Sequence, residues 1–248
     1  MNISDAVLDV LSNAEVNGNA LKLIGQLDRA LYVSTNKVLE AAGGKWNRKA
    51  QAHLFDGDAS EIMDQIILTG KITDAKQELG DFPSPAAVVN RLIELAKINN
   101  GDSMFEPNAG SGNILKALHI AFPLNRLYAV EINTKYTHLK EIAEHVYYGD
   151  FLTVIPTPDT WSFDRIVMNP PFAKQVDIKH VLHALNFLAP GGRLASVMSS
   201  GITFRSNKLT EDFRAILKAH NGTIEPLPEG SFLSSGTNVN TVIITMEK

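Results

Sequence analysis

Residues 103 to 246 alternate between short apolar runs and segments with helical periodicity, and this pattern constrains the fold more than any other feature of the chain. The apolar runs predict strands at Ser103–Glu106, Leu127–Glu131, Val146–Tyr148, Arg165–Met168, Arg193–Met198, Thr223–Leu227 and Asn240–Met246. The periodic segments predict helices at Asn113–Ala121, Thr134–His145, Val176–Leu188 and Leu209–Lys218. Such alternation forms a doubly wound, mostly parallel sheet, because parallel neighbours need a crossover connection. The sequence therefore predicts an α/β, Rossmann-like domain that binds its ligand at the carboxyl ends of the strands.

The first 80 residues have a different pattern and predict a smaller, mainly helical region, because their apolar residues recur at helical spacing. The segment Asp81–Pro85 is the expected boundary. There Ser84 is predicted as an N-cap and Pro85 as the first residue of a helix. We therefore expect two domains, residues 1–80 and 81–248.

Composition excludes several classes of protein. The 248 residues include no cysteine, so disulfides and thiolate zinc sites are excluded; no metal site is predicted, and a reducing cytoplasm is the expected location. We expect no membrane span, because no apolar run reaches the ~18 residues that a bilayer requires. The formal charge of −4 argues against a strong nonspecific nucleic-acid binder, although a local basic face can suffice.

The densest basic stretch is Lys45-Trp46-Asn47-Arg48-Lys49, with His53 close behind it. Basic side chains around an aromatic ring are typical of nucleic-acid contacts. A solvated loop with a half-buried tryptophan explains the same residues. Both interpretations stay open, and Lys45, Trp46, Arg48 and Lys49 are candidate substrate contacts.

The segment Glu106-Pro107-Asn108-Ala109-Gly110-Ser111-Gly112, here called the glycine loop, joins a predicted strand to a helix. Its small residues let a ligand approach the backbone, and the helix N-terminus favours a carboxylate. It differs from the G-x-G-x-x-G dinucleotide motif, because Leu115 occupies the position of the third glycine. It also lacks the Gly-Lys-Ser/Thr ending of a phosphate-binding loop.

Two acidic residues follow the next two predicted strands. Glu131 ends a strand about 20 residues after the glycine loop, where an acid can accept hydrogen bonds from a ribose diol. Asp150 follows Gly149 and can accept from an adenine amine, although aspartate after glycine is also common in turns. The two positions predict a ligand that contains a nucleoside.

The turn Asn169-Pro170-Pro171-Phe172 follows the predicted buried strand Arg165–Met168. The Asn169 side-chain oxygen and the Pro170 carbonyl are two acceptors that could take both hydrogens of an exocyclic amine. Pro170 has no N–H to compete, and the proline pair stiffens the turn. Phe172 offers a flat face on which a base can stack. These residue types indicate methyl transfer to a planar nitrogen.

The sequence resembles class I S-adenosylmethionine-dependent methyltransferases, and more narrowly the DNA methyltransferases that form N6-methyladenine. The resemblance rests on Phe82-Pro83-Ser84-Pro85, the glycine loop and the Asn-Pro-Pro-Phe turn, in the motif order called gamma. It covers residues 81–248 and implies a seven-stranded sheet with S-adenosylmethionine as cofactor and DNA as partner.

The resemblance also implies roles for individual residues. Asn169 and Pro170 would hold the target amine, with Pro171 in the same turn, and Phe172 would stack on the extruded base. Phe232, in Leu227–Phe232, would be the second face of the base sandwich or a core aromatic. The implied cofactor-binding residues are Phe82, Ser84, Glu106, Pro107, Asn108, Ala109, Gly110, Gly112, Glu131, Ile132, Asp150, Phe151 and Asn169.

The region that would read DNA is left open by this resemblance. It could be residues 1–80, the loops 173–179 and 199–208 with a phosphate contact from Arg205, or a partner protein; a homodimer is also open. The stretch Gly43–Arg48 resembles N-terminal regions of methylases of phages and mobile elements. We therefore expect a stand-alone methylase with short or relaxed specificity, in restriction-modification or anti-restriction.

Other substrates suit the same Asn-Pro-Pro-aromatic turn. Guanine N2 of ribosomal RNA and glutamine of a protein are two alternatives, but their relatives more often carry Asp-x-Gly-x-Gly in the glycine loop. Cytosine N4 is a third, for which Ser-Pro-Pro-Tyr/Trp is commoner. A noncatalytic cofactor- or DNA-binding module is the alternative from another class.

Overall fold

The computed structural model describes residues 3–72, 83–156, 161–235 and 239–248. The chain forms two compact units, one of Met1–Glu78 with Ser200–Asp212 and one of Leu79–Ser199 with Phe213–Lys248. Phe82, a predicted cofactor contact, lies outside the described residues. No helix among the described residues is long and apolar enough to cross a membrane.

The first unit combines the predicted helices with a small antiparallel sheet that the periodicity did not predict. Its elements are α1 (Asp5–Ser12), β1 (Glu15–Asn17), β2 (Ala20–Lys22), α2 (Arg29–Ala41), β3 (Lys45–Asn47), β4 (Ala52–Leu54) and α3 (Ala59–Thr69). The sheet order is β1-β2-β4-β3. Asp28 and Asp58 cap α2 and α3 through their side chains. Helical side chains such as Leu8, Leu39 and Ile66 form the core.

The second unit is built on a seven-stranded sheet. Its strands are β5 (Met104–Glu106), β6 (Leu127–Glu131), β7 (His145–Tyr148), β8 (Phe163–Met168), β9 (Leu188–Ser199), β10 (Thr223–Pro226) and β11 (Thr241–Glu247). The order is β10-β11-β9-β8-β5-β6-β7, and the pairs from β9 to β7 are parallel. Only β11 and its two neighbours pair antiparallel. The predicted doubly wound, mostly parallel sheet is therefore confirmed.

Five helices accompany these strands in the chain: α4 (Ala86–Ala96), α5 (Asn113–Ala121), α6 (Val176–Ala184), α7 (Gly201–Phe204) and α8 (Lys208–Ala219). The short α7 lies in the segment that belongs to the first unit. There, the Ser206 backbone N–H donates to Asp9 of α1 at 2.8 Å, and Phe204 packs against the core of that unit.

Two local predictions are wrong. The segment 134–145 forms only a 3₁₀ turn at Thr137–Glu141, because its threonines and tyrosine favour helix weakly and the Asn133 side chain binds the Lys135 N–H instead. The helix predicted to begin at Pro85 begins at Ala86. Pro85 is its N-cap residue, and the Ser84 side chain forms no cap because its hydroxyl contacts Asn169.

Candidate active site

The predicted site residues lie where four adjacent strands end. In the parallel order β8-β5-β6-β7, Asn169 follows β8, Glu106 ends β5, Glu131 ends β6 and Asp150 follows β7. Parallel neighbours place their carboxyl ends at one edge of the sheet, where ligands of such folds bind. The sheet therefore brings the glycine loop, both acids and the Asn-Pro-Pro-Phe turn to a single edge.

Glu131 is fixed by the backbone around it. One carboxylate oxygen accepts the Gly110 N–H and the other accepts the Asn133 N–H, each at 2.6 Å. A carboxylate offers about four lone-pair sites, so each oxygen can accept one further hydrogen bond. The glycine loop and Asn133 thus hold the Glu131 side chain in place, and both of its carboxylate oxygens keep a lone pair for a ligand.

The glycine loop makes a tight approach to the segment after β6. Gly112 has a φ of +84°, and a Cβ at this position would lie 2.7 Å from Leu139 Cδ2. The Ala109 N–H donates to the Val130 carbonyl at 3.1 Å, which holds the loop against β6. The positive φ favours glycine at position 112, and an added Cβ would force the Leu139 side chain to move.

Glu106 is a carboxyl group in the protein interior. Its side chain is 1% exposed, and its Oε2 has no hydrogen-bond partner among the described residues. Burial raises the pKa of Glu106 well above its ordinary value, and the charge of Glu131 raises it further. The protonated form of Glu106 is therefore favoured, which disfavours two negative charges at this edge of the sheet.

Ser84 connects two parts of the site. Its hydroxyl accepts a hydrogen bond from Asn169 Nδ2 at 3.0 Å, and its backbone carbonyl accepts one from Asn113 Nδ2 at 3.0 Å. Asn169 therefore has its amide orientation set, with Nδ2 toward Ser84 and the oxygen on the other side of the amide. The sequence assigned Ser84 to the cofactor; the link to Asn169 was not predicted.

The Asn-Pro-Pro-Phe turn runs into strained backbone. Pro170 is buried, and Phe172 is only 7% exposed, so little of its ring is available for stacking in the described conformation. Lys174 and Gln175 follow with φ of +52° and +58°. Two successive non-glycine residues in the left-handed region are uncommon and cost about 1 kcal/mol or more each.

Helix α6 forms hydrogen bonds with the end of β9 and with the glycine loop. Its buried Asp177 accepts the Ser199 N–H at the end of β9 at 3.0 Å. His180 Nδ1 lies 3.1 Å from Asn108 Oδ1 in the glycine loop. Burial lowers the pKa of His180 to about 4, although nearby Asp150 opposes the shift, so the ring is neutral and donates to Asn108. Neither contact was predicted.

The residues after β6 and β7 divide between surface and core. Asp150 is exposed, and one of its oxygens accepts the Leu152 N–H, as the turn interpretation requires. Ile132 is 68% exposed beside Glu131, an apolar surface available to a ligand. Phe151 lies in an aromatic cluster, 5.2 Å from Phe187 between ring centroids, and is a core residue.

The remaining candidates also separate by exposure. Phe232 is fully buried, which favours a core role over a base contact. Arg205 belongs to the first unit and is 5% exposed, which argues against a phosphate contact. Four candidates of the first unit are exposed: Lys45, Trp46, Arg48 and Lys49. The described residues contain no group of His, Cys, Asp and Glu that could hold a metal ion.

Comparisons with known proteins bear on the fold that carries these residues. Residues 115–223 match the family model for the methyltransferase small domain. The O-methyltransferase TomG from Streptomyces achromogenes, solved with SAM, is 16% identical, with a TM-score of 0.51 over 68% of this chain and 82% of that one. This likeness confirms the fold, a Rossmann-like methyltransferase sheet.

Two further solved structures are similar at lower scores. The precorrin-6y C5,15-methyltransferase of Geobacter metallireducens is 17% identical, with a TM-score of 0.48 over 71% of this chain and 93% of that one. TrmN of Thermus thermophilus is 20% identical, with a TM-score of 0.48 over 79% of this chain and 55% of that one. The chain thus spans about half the length of TrmN.

Proposed function

We propose that this protein is an S-adenosylmethionine-dependent methyltransferase that methylates the exocyclic N6 amine of adenine in DNA. The methyltransferase fold and the family match support the reaction class. The observation that carries the proposal is the Asn169 side chain, whose Nδ2 donates to the Ser84 hydroxyl and whose Oδ1 is therefore on the other side of the amide. This orientation supports Asn169 Oδ1 as one acceptor for a planar amine, with the backbone carbonyl of Pro170 as the second.

The residues at the edge of the sheet that carries the glycine loop fit the cofactor. Glu131, held by two backbone N–H groups, has lone pairs left for a ribose diol. Exposed Ile132 offers an apolar surface, and the exposed carboxyl group of Asp150 can accept from an adenine amine. Burial disfavours the charged form of Glu106 and so disfavours a second negative charge beside Glu131. When bound, S-adenosylmethionine supplies an electrophilic methyl group on a positively charged sulfur.

The chain's own residues act mainly by alignment. The lone pair of an adenine amine is delocalised into the ring, so the amine is a weak nucleophile. Asn169 Oδ1 and the Pro170 carbonyl, by accepting its two hydrogens, would hold the nitrogen in a geometry that localises the lone pair. Fixed acceptors lower the barrier through orientation and charge accommodation, without a strong general base. Neutral His180, bonded to Asn108, is a structural residue in this mechanism.

An adenine inside a duplex cannot reach such acceptors. The target base must be flipped out of the helix or already be unpaired. We propose a methylase with short or relaxed specificity that protects DNA from restriction. Methylation of plasmids of different sequence, followed by mapping of the modified adenines, tests this role, and a long, strict target site would contradict it.

Methyl transfer from labelled S-adenosylmethionine tests the reaction. Duplex DNA, ribosomal RNA and a protein extract are offered in parallel, and the digested products are read by mass spectrometry. We expect N6-methyladenine in DNA. Label only in guanine of RNA or in glutamine would refute the DNA substrate, and no transfer despite cofactor binding would refute the enzymatic role.

The Asn169→Ala variant tests the role of the amine acceptor in the same assay. It should abolish methyl transfer and bind the cofactor nearly as well as the unmodified protein, because the amine acceptor is lost and the Glu131 contacts remain. Substantial residual transfer by Asn169→Ala would show that this side chain does not hold the amine.

A further inference from the structure

The first unit contains an open pocket that the catalytic proposal does not use. Its volume is about 320 Å³, at the lower end of the range for pockets that bind small molecules. Its lining includes Lys22 of β2, Tyr32 of α2, Trp46 of β3 and His53 of β4. A pocket of this volume can take a planar group of the size of a nucleobase.

Two aromatic side chains of this pocket are exposed. Trp46 on β3 is 53% exposed and Tyr32 on α2 is 44% exposed. His53 on β4 supports the indole, with 5.2 Å between ring centroids. Large aromatic rings left half in water, with a second ring behind one of them, form a platform on which a flat ligand can stack.

The surroundings of the pocket are basic. Residues 20–54 contain six Lys and Arg and two acidic residues, a formal charge of +4 in a chain whose total is −4. Lys22 lines the pocket, and Lys45, Arg48 and Lys49 are exposed on β3 and the turn after it. Of the two acids, Asp28 is occupied by the cap of α2 and Glu40 accepts from Asn36 Nδ2 at 2.7 Å.

The His53 ring in the pocket wall is fixed by a hydrogen bond to α2. Its Nε2 donates to Asn36 Oδ1 at 2.8 Å, because Asn36 Nδ2 is used on Glu40. Burial lowers the pKa of His53, so the ring is neutral and Nδ1 carries a lone pair. Nδ1 is buried and has no hydrogen-bond partner among the described residues. The pocket thus combines a stacking surface, held from behind by a fixed ring, with nearby cations.

We propose that this pocket binds one unpaired nucleobase of a DNA strand, stacked on Trp46, with an adjacent phosphate on Lys22. Base stacking on an aromatic platform needs an exposed base face, which a paired duplex does not present. The Lys22 cation suits a phosphate beside the stacked base, and the formal charge of +4 over residues 20–54 adds to the attraction for the strand. The inference rests on the proposed function for the choice of DNA as the strand, and the site is distinct from the glycine-loop edge.

Binding of a labelled single-stranded oligodeoxynucleotide to the full chain, measured by fluorescence anisotropy without cofactor, tests the pocket. Trp46→Ala should weaken binding by at least about 5-fold, which is the low end of the stacking contribution per base. Trp46→Phe keeps a flat ring and should retain most of the affinity. Unchanged binding by Trp46→Ala would overturn the proposal, as would an equal loss in Trp46→Phe.

Adjacent residues of α2 provide a matched control. Tyr32 and Val33 are exposed to the same extent, 44% and 43%, but only Tyr32 lines the pocket. Tyr32→Ala should weaken binding and Val33→Ala should not; equal effects of the two variants would overturn the assignment. Lys22→Ala should lower the slope of log affinity against log salt by about 0.7, while the exposed Lys218→Ala of α8 should leave it unchanged.

Competing ligands and the separate methyl-transfer assay complete the test. A blunt duplex that binds with the same Trp46 dependence, or RNA that binds where DNA does not, would overturn the proposal. Methylation of DNA that continues beside Trp46-independent binding would refute the pocket and leave the proposed function standing. Trp46-dependent DNA binding without any DNA methylation would refute the proposed function and leave the pocket standing.

Discussion

The substitution Glu106→Gln is expected to stabilise the protein at neutral and alkaline pH. Glu106 is 1% exposed, has an unpartnered Oε2 among the described residues and lies near the charge of Glu131. All three features disfavour the carboxylate. Glutamine has nearly the same shape and carries no charge, so it removes this electrostatic cost without leaving a cavity.

The sign and size of the effect follow from linkage. Burial raises the pKa of Glu106 in the folded state above its value in the unfolded chain. The folded state therefore binds the proton more tightly, and stability is lost as pH rises from the unfolded to the folded pKa. Each pH unit in that interval costs about 1.4 kcal/mol. At pH values above the folded pKa, the free energy of unfolding of Glu106→Gln should exceed that of the unmodified protein by the sum of these losses.

Urea denaturation from pH 5 to pH 9, without cofactor, measures this difference. The free energies of unfolding of the two proteins should be similar at pH 5 and diverge as pH rises, with Glu106→Gln the more stable. The exposed Glu141→Gln should follow the unmodified protein throughout. Parallel profiles for Glu106→Gln and the unmodified protein would refute the reasoning, because they would mean that Glu106 titrates alike in both states.

Three further substitutions test the site. Ser84→Ala removes the acceptor of Asn169 Nδ2 and should lower kcat about 3- to 10-fold with little change in KM for the cofactor; steady-state kinetics that show the loss in KM alone would contradict the positioning role. Glu131→Ala should weaken cofactor binding at least about 10-fold by calorimetry, and unchanged affinity would exclude the ribose contact. Gly112→Ala should destabilise the fold by about 2 kcal/mol or more in thermal denaturation. Gly101→Ala, at a φ of +91° with open space, should cost less, and equal losses would remove the crowding argument.

The sequence predicted the strands of the second unit because their signals are local, but it did not predict that residues 200–212 belong to the first unit. The helix Asn113–Ala121 and the strand Leu127–Glu131 have the predicted bounds. The reason is that the spacing of apolar residues within each segment is enough to identify an amphipathic helix or a buried strand. The strands of the first unit are three residues long, and Lys45–Asn47 is largely polar, so neither length nor alternation identifies them. A short strand is stabilised by its neighbours in the sheet, which the local pattern does not contain.

The candidate site shows the same division. Glu131 was predicted from its spacing after the glycine loop, a distance along the chain that the βαβ connection fixes. The Ser84–Asn169 and Asn108–His180 contacts join residues 85 and 72 positions apart. Such contacts depend on which strands become neighbours and on how helices pack. Periodicity and composition do not determine either one.

The last segment of the first unit, residues 200–212, is synthesised long after the rest of that unit. Residues 200–212, with their bonds from Ser206 to Asp9, belong to the same compact unit as α1 to α3. A ribosome releases the N-terminal helices long before this segment, and β5 to β9 emerge in between. The N-terminal part of the unit must therefore wait, with part of its surface uncovered, until most of the parallel sheet has been translated. Vectorial synthesis thus couples the maturation of the two units in time.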